Sequence, residues 1–245
     1  MEDALQALIR KLREHTRLSR ESQKIIETFS HEDFDLKPDE DLIRQGDKPR
    51  VSALVISGYL ARYHLLPDGR RQYLSFHMAG DMPDSQALFI EEMDHAVCAI
   101  GPARVAVLPH RELLAVFEEH PSIGFAIWRE TLIDAAIFRE AITSNGARQS
   151  LARMAHLLCE IFYRARSSRI TQNDTLIFPI SLIQLGEAIG MAIATVNRTL
   201  KELRDSGAAD FRSGELIVKD WDGLVGLARF DPAYLHLKRP PVDLA

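Results

Sequence analysis

Three side chains near the end of the chain have the types and spacing to hydrogen-bond an extended anionic polymer. They are Asn197, Arg198 and Lys201, within the run AIGMAIATVNRTLKEL. Arginine bonds the O6 and N7 of guanine through two parallel N–H groups, asparagine does the same for adenine N6 and N7, and lysine or threonine holds phosphate oxygens. Ala194 falls on the same side of a helix as these three, whereas Val196, Leu200 and Leu203 fall together on the other by their i, i+4, i+7 spacing. The polar side is expected to meet base edges through Asn197 and Arg198, with Gln184, Thr195, Thr199 and Lys201 on phosphate or sugar. The competing reading is a plain solvated face of an all-helical corner.

Such a face needs a support that presents it outward. Leu185, Ile189, Met191, Val196 and Leu200 form the apolar set expected where a first helix packs on a second. Gly186 permits close approach, and Gly190 takes the turn. Helices are expected at 184–190 and about 193–205. ADFRSGELIVKDW follows, with Ser213-Gly214 between two short strand-like runs, which predicts a hairpin. Two helices and a small hairpin make a winged helix-turn-helix, and the hairpin counts against the bare solvated face. The second helix starts at Ala192, which lacks the oxygen that Ser or Thr would offer to free N–H groups, a loss of about 1 kcal/mol. Those N–H groups are expected to be left for water or a phosphate.

Upstream, the periodicity changes. Residues 34 to about 110 carry short apolar runs (VSALVI, YLARYHLL, QYLSFHM, HAVCAI, ARVAVL), with Gly46, Gly58, Gly69 and Gly80 between or beside them. This pattern predicts an antiparallel sandwich or small barrel whose turns use those glycines. Before it, Leu5, Leu8, Ile9 and Leu12, then Ile25, Ile26 and Phe29, predict short helices. After it, Phe125, Trp128, Leu132, Ala135 and Ile142 step by three or four along one stripe, interrupted by Arg139. Asn145-Gly146 is expected to end this helix. The stripe could pack on its own domain or on a second copy as a coiled-coil seam.

Totals narrow the function classes. Residues 1–146 hold 17 Lys/Arg against 24 Asp/Glu, and residues 147–245 hold 13 against 11, so the polar-faced helix lies in the basic part of an acidic chain. Cys98 and Cys159 are far apart, which removes a disulfide scaffold, a cysteine zinc site and a four-cysteine iron–sulfur cluster; both are expected in the core. No nucleophile with a base and orienter, no phosphate-binding glycine loop and no HxH metal spacing stands out, so no catalytic residue, metal or cofactor is assigned. The N-terminal sequence MEDALQALIRKLREH has no leader-like or membrane-spanning apolar run, and a cytoplasmic location without a membrane partner is expected.

The order of these parts resembles the Crp/Fnr superfamily of bacterial transcription regulators. LIRQGD and the glycines at 46, 58, 69 and 80 resemble its cyclic-nucleotide-binding-type β-roll, the 122–144 helix its dimerisation helix, and IQLGEAIGMAIATVNRTLKELRDSGAADFRSGELIV its winged DNA reader. The resemblance implies an α+β fold: N-terminal helices over 1–33, an antiparallel β-roll over 34–120, a dimerisation helix and hinge over 121–146, and a winged helix-turn-helix domain over 147–245. It also implies a homodimer on palindromic double-stranded DNA, with RNA polymerase as a further partner and an unidentified small-molecule effector in the roll.

Two departures modify that implication. Where cyclic-AMP receptors of the family place a Gly-Glu pair for the ribose and an Arg-Ser pair for the cyclic phosphate, GDMPDSQALFIEEMDHAV has Asp84-Ser85 and His95-Ala96. A phosphate there would lose its arginine and meet Asp84 instead, so cyclic-nucleotide binding is not expected. His64, His77, His95 and His110 remain as formal haem ligands, although isolated histidines in a β domain are ordinarily hydrogen-bonded residues. In the reading helix, Arg198 stands at the family's arginine, while Ala194 replaces a glutamate that would contact cytosine; the operator should differ accordingly. The alternatives are a regulator that binds an effector and acts on protein partners, and a metal-dependent enzyme of the cupin kind.

Overall fold

The computed structural model describes residues 3–241. The chain forms two compact units, Met1–His64 with Ser75–Ala135, and Leu65–Leu74 with Ala136–Ala245.

Helices α1 (Ala4–His15) and α2 (Arg20–Ile26) precede five strands, β1 (Glu32–Leu36), β2 (Asp41–Ile43), β3 (Val51–Leu65), β4 (Arg71–His77) and β5 (Ala96–Pro109), which belong to the first unit except for Leu65 and Arg71–Leu74. Sheet order is β1-β5-β3-β4, with β2 also antiparallel on β5. The two long strands, β3 and β5, are buried on both sides along most of their length. Ala53 and Val55 of β3, with Val97, Ala99, Ala103 and Val105 of β5, fill the interior of the roll. Leu54 and Ile56, with Ala106 and Leu108, point the other way, as the two-residue period of a strand requires, and are covered by Leu5, Leu8, Ile9 and Leu12 of α1. This two-sided burial is why the sequence shows nearly continuous apolar runs.

Gly58 departs from the turn expected of it. It lies inside β3, at φ 76°, where the β3–β5 register shifts. A Cβ there would stand 2.4 Å from the carbonyl oxygen of Pro102, so only glycine lets the strands approach. The bulge also reverses the strand's facing: Ala53 and Val55 point into the roll before it and Leu60 after it. VSALVI and YLARYHLL are therefore one bent strand, and HAVCAI and ARVAVL are likewise one, β5.

Two helices follow, α3 (His110–Glu119) and α4 (Pro121–Ala147). Ile123, Ala126 and Ile127 of α4 join the outer apolar layer of the roll. The helix continues through Asn145 and Gly146 and stops at Ala147, one residue beyond the Asn-Gly break read from sequence.

The second unit is built on α5 (Ser150–Ser167). It continues with β6 (Thr175–Ile177), α6 (Leu182–Ile189), α7 (Ile193–Asp205), β7 (Ala209–Arg212), β8 (Glu215–Val218) and α8 (Trp221–Ala228). The sheet order is β6-β8-β7. Trp221 packs on Phe162 and Tyr163, which fastens α8 to α5. Cys98 and Cys159 are both buried and unbridged, as expected.

Candidate nucleic-acid interface

The corner between α6 and α7 is fixed by backbone geometry. Gly190 ends α6 at φ 64° and ψ 43°, a left-handed conformation that glycine adopts without strain, and its N–H donates to Gly186 O. Val196, Leu200 and Leu203 of α7 are buried, while Ala194, Asn197, Arg198 and Lys201 are exposed. The facing read from the helical period is thus the facing in the structure.

The exposed cations are lightly held. Arg198 Nε lies 3.8 Å from Glu202 Oε1 and Lys201 Nζ 2.6 Å from Asp205 Oδ2, with the arginine side chain 68% and the lysine side chain 71% exposed. Such solvated i, i+4 pairs contribute about 0.3–0.5 kcal/mol, so exchanging a carboxylate for a phosphate or a base edge costs little. Asn197 Nδ2 donates to Ile193 O at 3.0 Å, which orients the amide along the helix surface. Thr195 is half-buried.

Thr199 corrects the sequence reading. It is wholly buried, at 0% exposure, on the packed side of α7. A hydroxyl there cannot touch a phosphate. Its position on the helical circuit borders the apolar stripe, and packing against the rest of the unit takes that edge inward. Gln184 is committed otherwise than expected: its Oε1 accepts from Ser181 N at 2.9 Å, and Ser181 Oγ accepts from Gln184 N at 3.2 Å. This reciprocal capping box starts α6, a signal legible in sequence as S-x-x-Q but missed. At α7, by contrast, Ala192 stands at the N-cap with no side-chain bond, as the sequence indicated.

The wing is the hairpin β7–β8, turned by Ser213 and Gly214, both at positive φ. Asp210 on β7 receives Arg204 Nε at 2.9 Å and lies 3.0 Å from Arg212 Nε. The Arg204 contact ties the wing to α7.

In the roll, Asp84, Ser85, His95 and Ala96 are all buried. Both oxygens of Asp84 accept from Ala53 N, at 2.9 and 3.1 Å, so this carboxyl is occupied by backbone. Burial pushes its pKa up to about 7, against the pull of that bond and of the Arg62 charge. His95 is held below its ordinary range by burial and by Arg62, against the pull of Asp94 at 2.6 Å. Arg62, which the sequence reading passed over, is buried among these groups. A cavity of about 360 Å³ lies beside Asp84, walled by Leu42, Ile43, Val51, Ala53 and Val107.

A β-roll in one unit and an outward-facing helix with a wing in the other are the parts of a DNA-binding transcription regulator. Comparison with known proteins agrees. Residues 34–120 match the cyclic nucleotide-binding domain and residues 152–227 the Crp-like helix-turn-helix domain. The nitrogen fixation regulation protein FixK of Rhizobium meliloti is 26% identical over 186 residues, 74% of this chain and 79% of that protein. The transcriptional activator protein FnrA of Stutzerimonas stutzeri is 22% identical over 193 residues, covering 79% of each. The solved structure of FixK2 from Bradyrhizobium japonicum covers 81% of this chain and 97% of its own at a TM-score of 0.72 and 22% identity. The chain belongs to the Crp/Fnr family of transcription regulators. Its relatives are regulators rather than enzymes. No helix among the described residues is long and apolar enough to cross a membrane.

Proposed function

We propose that the protein is a sequence-specific regulator that binds palindromic operators as a homodimer, without cyclic AMP. The observation that carries this is the exposed face of α7, on which Ala194, Asn197, Arg198 and Lys201 stand clear of the packed residues. Arg198 and Asn197 read base edges, and Lys201 and Thr195 hold the backbone. With no carboxylate at Ala194, the cytosine contact is missing. The uncapped start of α7 leaves its N–H groups for a phosphate.

The dimer is supported by α4. Phe125, Trp128 and Leu132 are 64%, 52% and 53% exposed at the three- and four-residue steps of a coiled-coil seam, and Ile142, ten residues further along the same stripe, is 73% exposed. Large apolar side chains in one exposed row mark an association surface. A twofold dimer would set two α7 helices in successive major grooves about 34 Å apart. Independence from cyclic AMP is supported by Asp84, whose carboxyl stands where the resemblance puts a nucleotide and is bonded to backbone. Contact with RNA polymerase fits the same architecture.

The test is selection of genomic fragments by the purified protein, followed by fluorescence anisotropy on the enriched duplex. Binding is expected to favour a twofold-symmetric site without added nucleotide. It should weaken steeply with salt, with a log–log slope of about −0.9 per phosphate neutralised. Weak binding insensitive to both sequence and salt would instead support a regulator acting on protein partners.

A further inference from the structure

Arg62 lies on β3 and is 3% exposed. Its guanidinium joins three elements of the first unit. Nε donates to Pro83 O at 2.5 Å, and Nη2 to Gln86 Oε1 at 3.4 Å, in the segment that also holds Asp84 and Ser85. Nη2 also lies 2.8 Å from Asp134 Oδ2, on α4. Guanidinium stays charged in a protein, and its planar fork holds several acceptors in fixed directions. Once buried, it needs an anion, since an uncompensated charge away from water is strongly destabilising. Asp134 supplies that anion from the helix bearing the exposed apolar seam.

For a ligand inside the roll to bias α4, it must make contacts that differ between arrangements of the helix, which means reaching both elements. Arg62 already makes that connection. We propose that Arg62 is a positioning residue that locks α4 to the roll in place of an effector, so that the arrangement of α4 competent for operator binding is set by folding. The second part rests on the DNA-binding reading; the lock itself does not.

The experiment uses the full chain and three variants, Asp134→Asn, Arg62→Met and Arg62→Lys. Hydrogen exchange of the amides of residues 121–135 reads the lock without DNA. Asp134→Asn and Arg62→Met should lower protection there at least tenfold and leave α7 unchanged, and Arg62→Lys should recover part of it. Operator affinity in both disruptive variants should fall at least tenfold, with the dimer mass intact. Unchanged protection in Asp134→Asn overturns the lock, and lost protection with wild-type operator affinity overturns its role in positioning. A tenfold gain in wild-type affinity on adding cyclic AMP or cyclic GMP also overturns that role. Should Arg62→Met fail to fold, Asp134→Asn decides. Should the parent bind no duplex, the DNA reading fails, and exchange alone decides the lock.

Discussion

Gly186 on α6 faces the backbone carbonyl of Met191 so closely that a Cβ at Gly186 would stand 2.6 Å from Met191 O and 3.2 Å from Val196 Cγ2. That approach holds α7 at its angle to α6. Gly186→Ala would push the corner open, and overpacking of this kind costs roughly 1–3 kcal/mol. Thermal unfolding should register that loss, and operator affinity should fall further than stability, because a small rotation of α7 displaces every reading side chain. Wild-type stability in the alanine variant would show that the corner tolerates expansion.

Trp128 and Leu132 are the central exposed residues of the α4 stripe. Trp128→Glu puts a charge into the proposed seam and should yield a monomer by sedimentation analysis at micromolar concentration. Because a monomer holds only a half-site, affinity for the full operator should drop at least a hundredfold. A variant that sediments as the parent does would place the subunit contact elsewhere.

Two buried groups, one in each unit, have opposite pH linkage. Asp84 in the first unit titrates near 7 when folded, above its ordinary value of about 3.9. Its stabilising contribution is therefore complete below pH 4 and is lost as pH rises through 7. His156 in the second unit is pushed down to about 4 by burial and by Arg148, although its Nε2 lies 3.2 Å from Glu140 Oε1. Its contribution is complete above about 6.5, the ordinary histidine value, and is lost as pH falls through 4. Each effect is on the order of a few kcal/mol, because every tenfold change in proton affinity on folding corresponds to about 1.36 kcal/mol. Trp128 reports the first unit and Trp221 the second. Relative to Asp84→Asn, the parent's first unit should lose stability from pH 4 to 7, and relative to His156→Gln its second unit should gain it from pH 4 to 6.5, each followed in single-tryptophan variants. Asp84→Asn and His156→Gln should flatten the respective curves, and parallel curves in all variants would contradict both assignments.

The missing cap gives a further expectation. Ala192→Ser supplies the oxygen that α7 lacks and should stabilise the protein by about 1 kcal/mol in denaturant unfolding. If a phosphate uses the free N–H groups, operator affinity should not rise with it. A gain in both would remove the phosphate from that helix end.

The reading helix is legible in the sequence because its signals are local: a 3.6-residue period, a glycine at the corner and a Ser-Gly hairpin. Gly58 reads as a turn because a glycine between apolar runs looks the same whether the strand ends or bulges, and the carbonyl of Pro102 that decides it lies on another strand. Thr199 sits at the edge of a stripe, where packing rather than period chooses the side. Arg62 gives no local signal at all. Its burial depends on Asp134, which only the folded chain brings to it.

The most direct measurement is the affinity and base selectivity of Arg198→Ala on the selected operator. The side chain is exposed, so the melting temperature should not move. Specific binding should weaken by about 1–3 kcal/mol, and selectivity should relax at one base position per half-site, with non-specific binding much less affected. A variant that binds as tightly and as selectively as the parent would contradict the assignment of this helix as the reader of DNA.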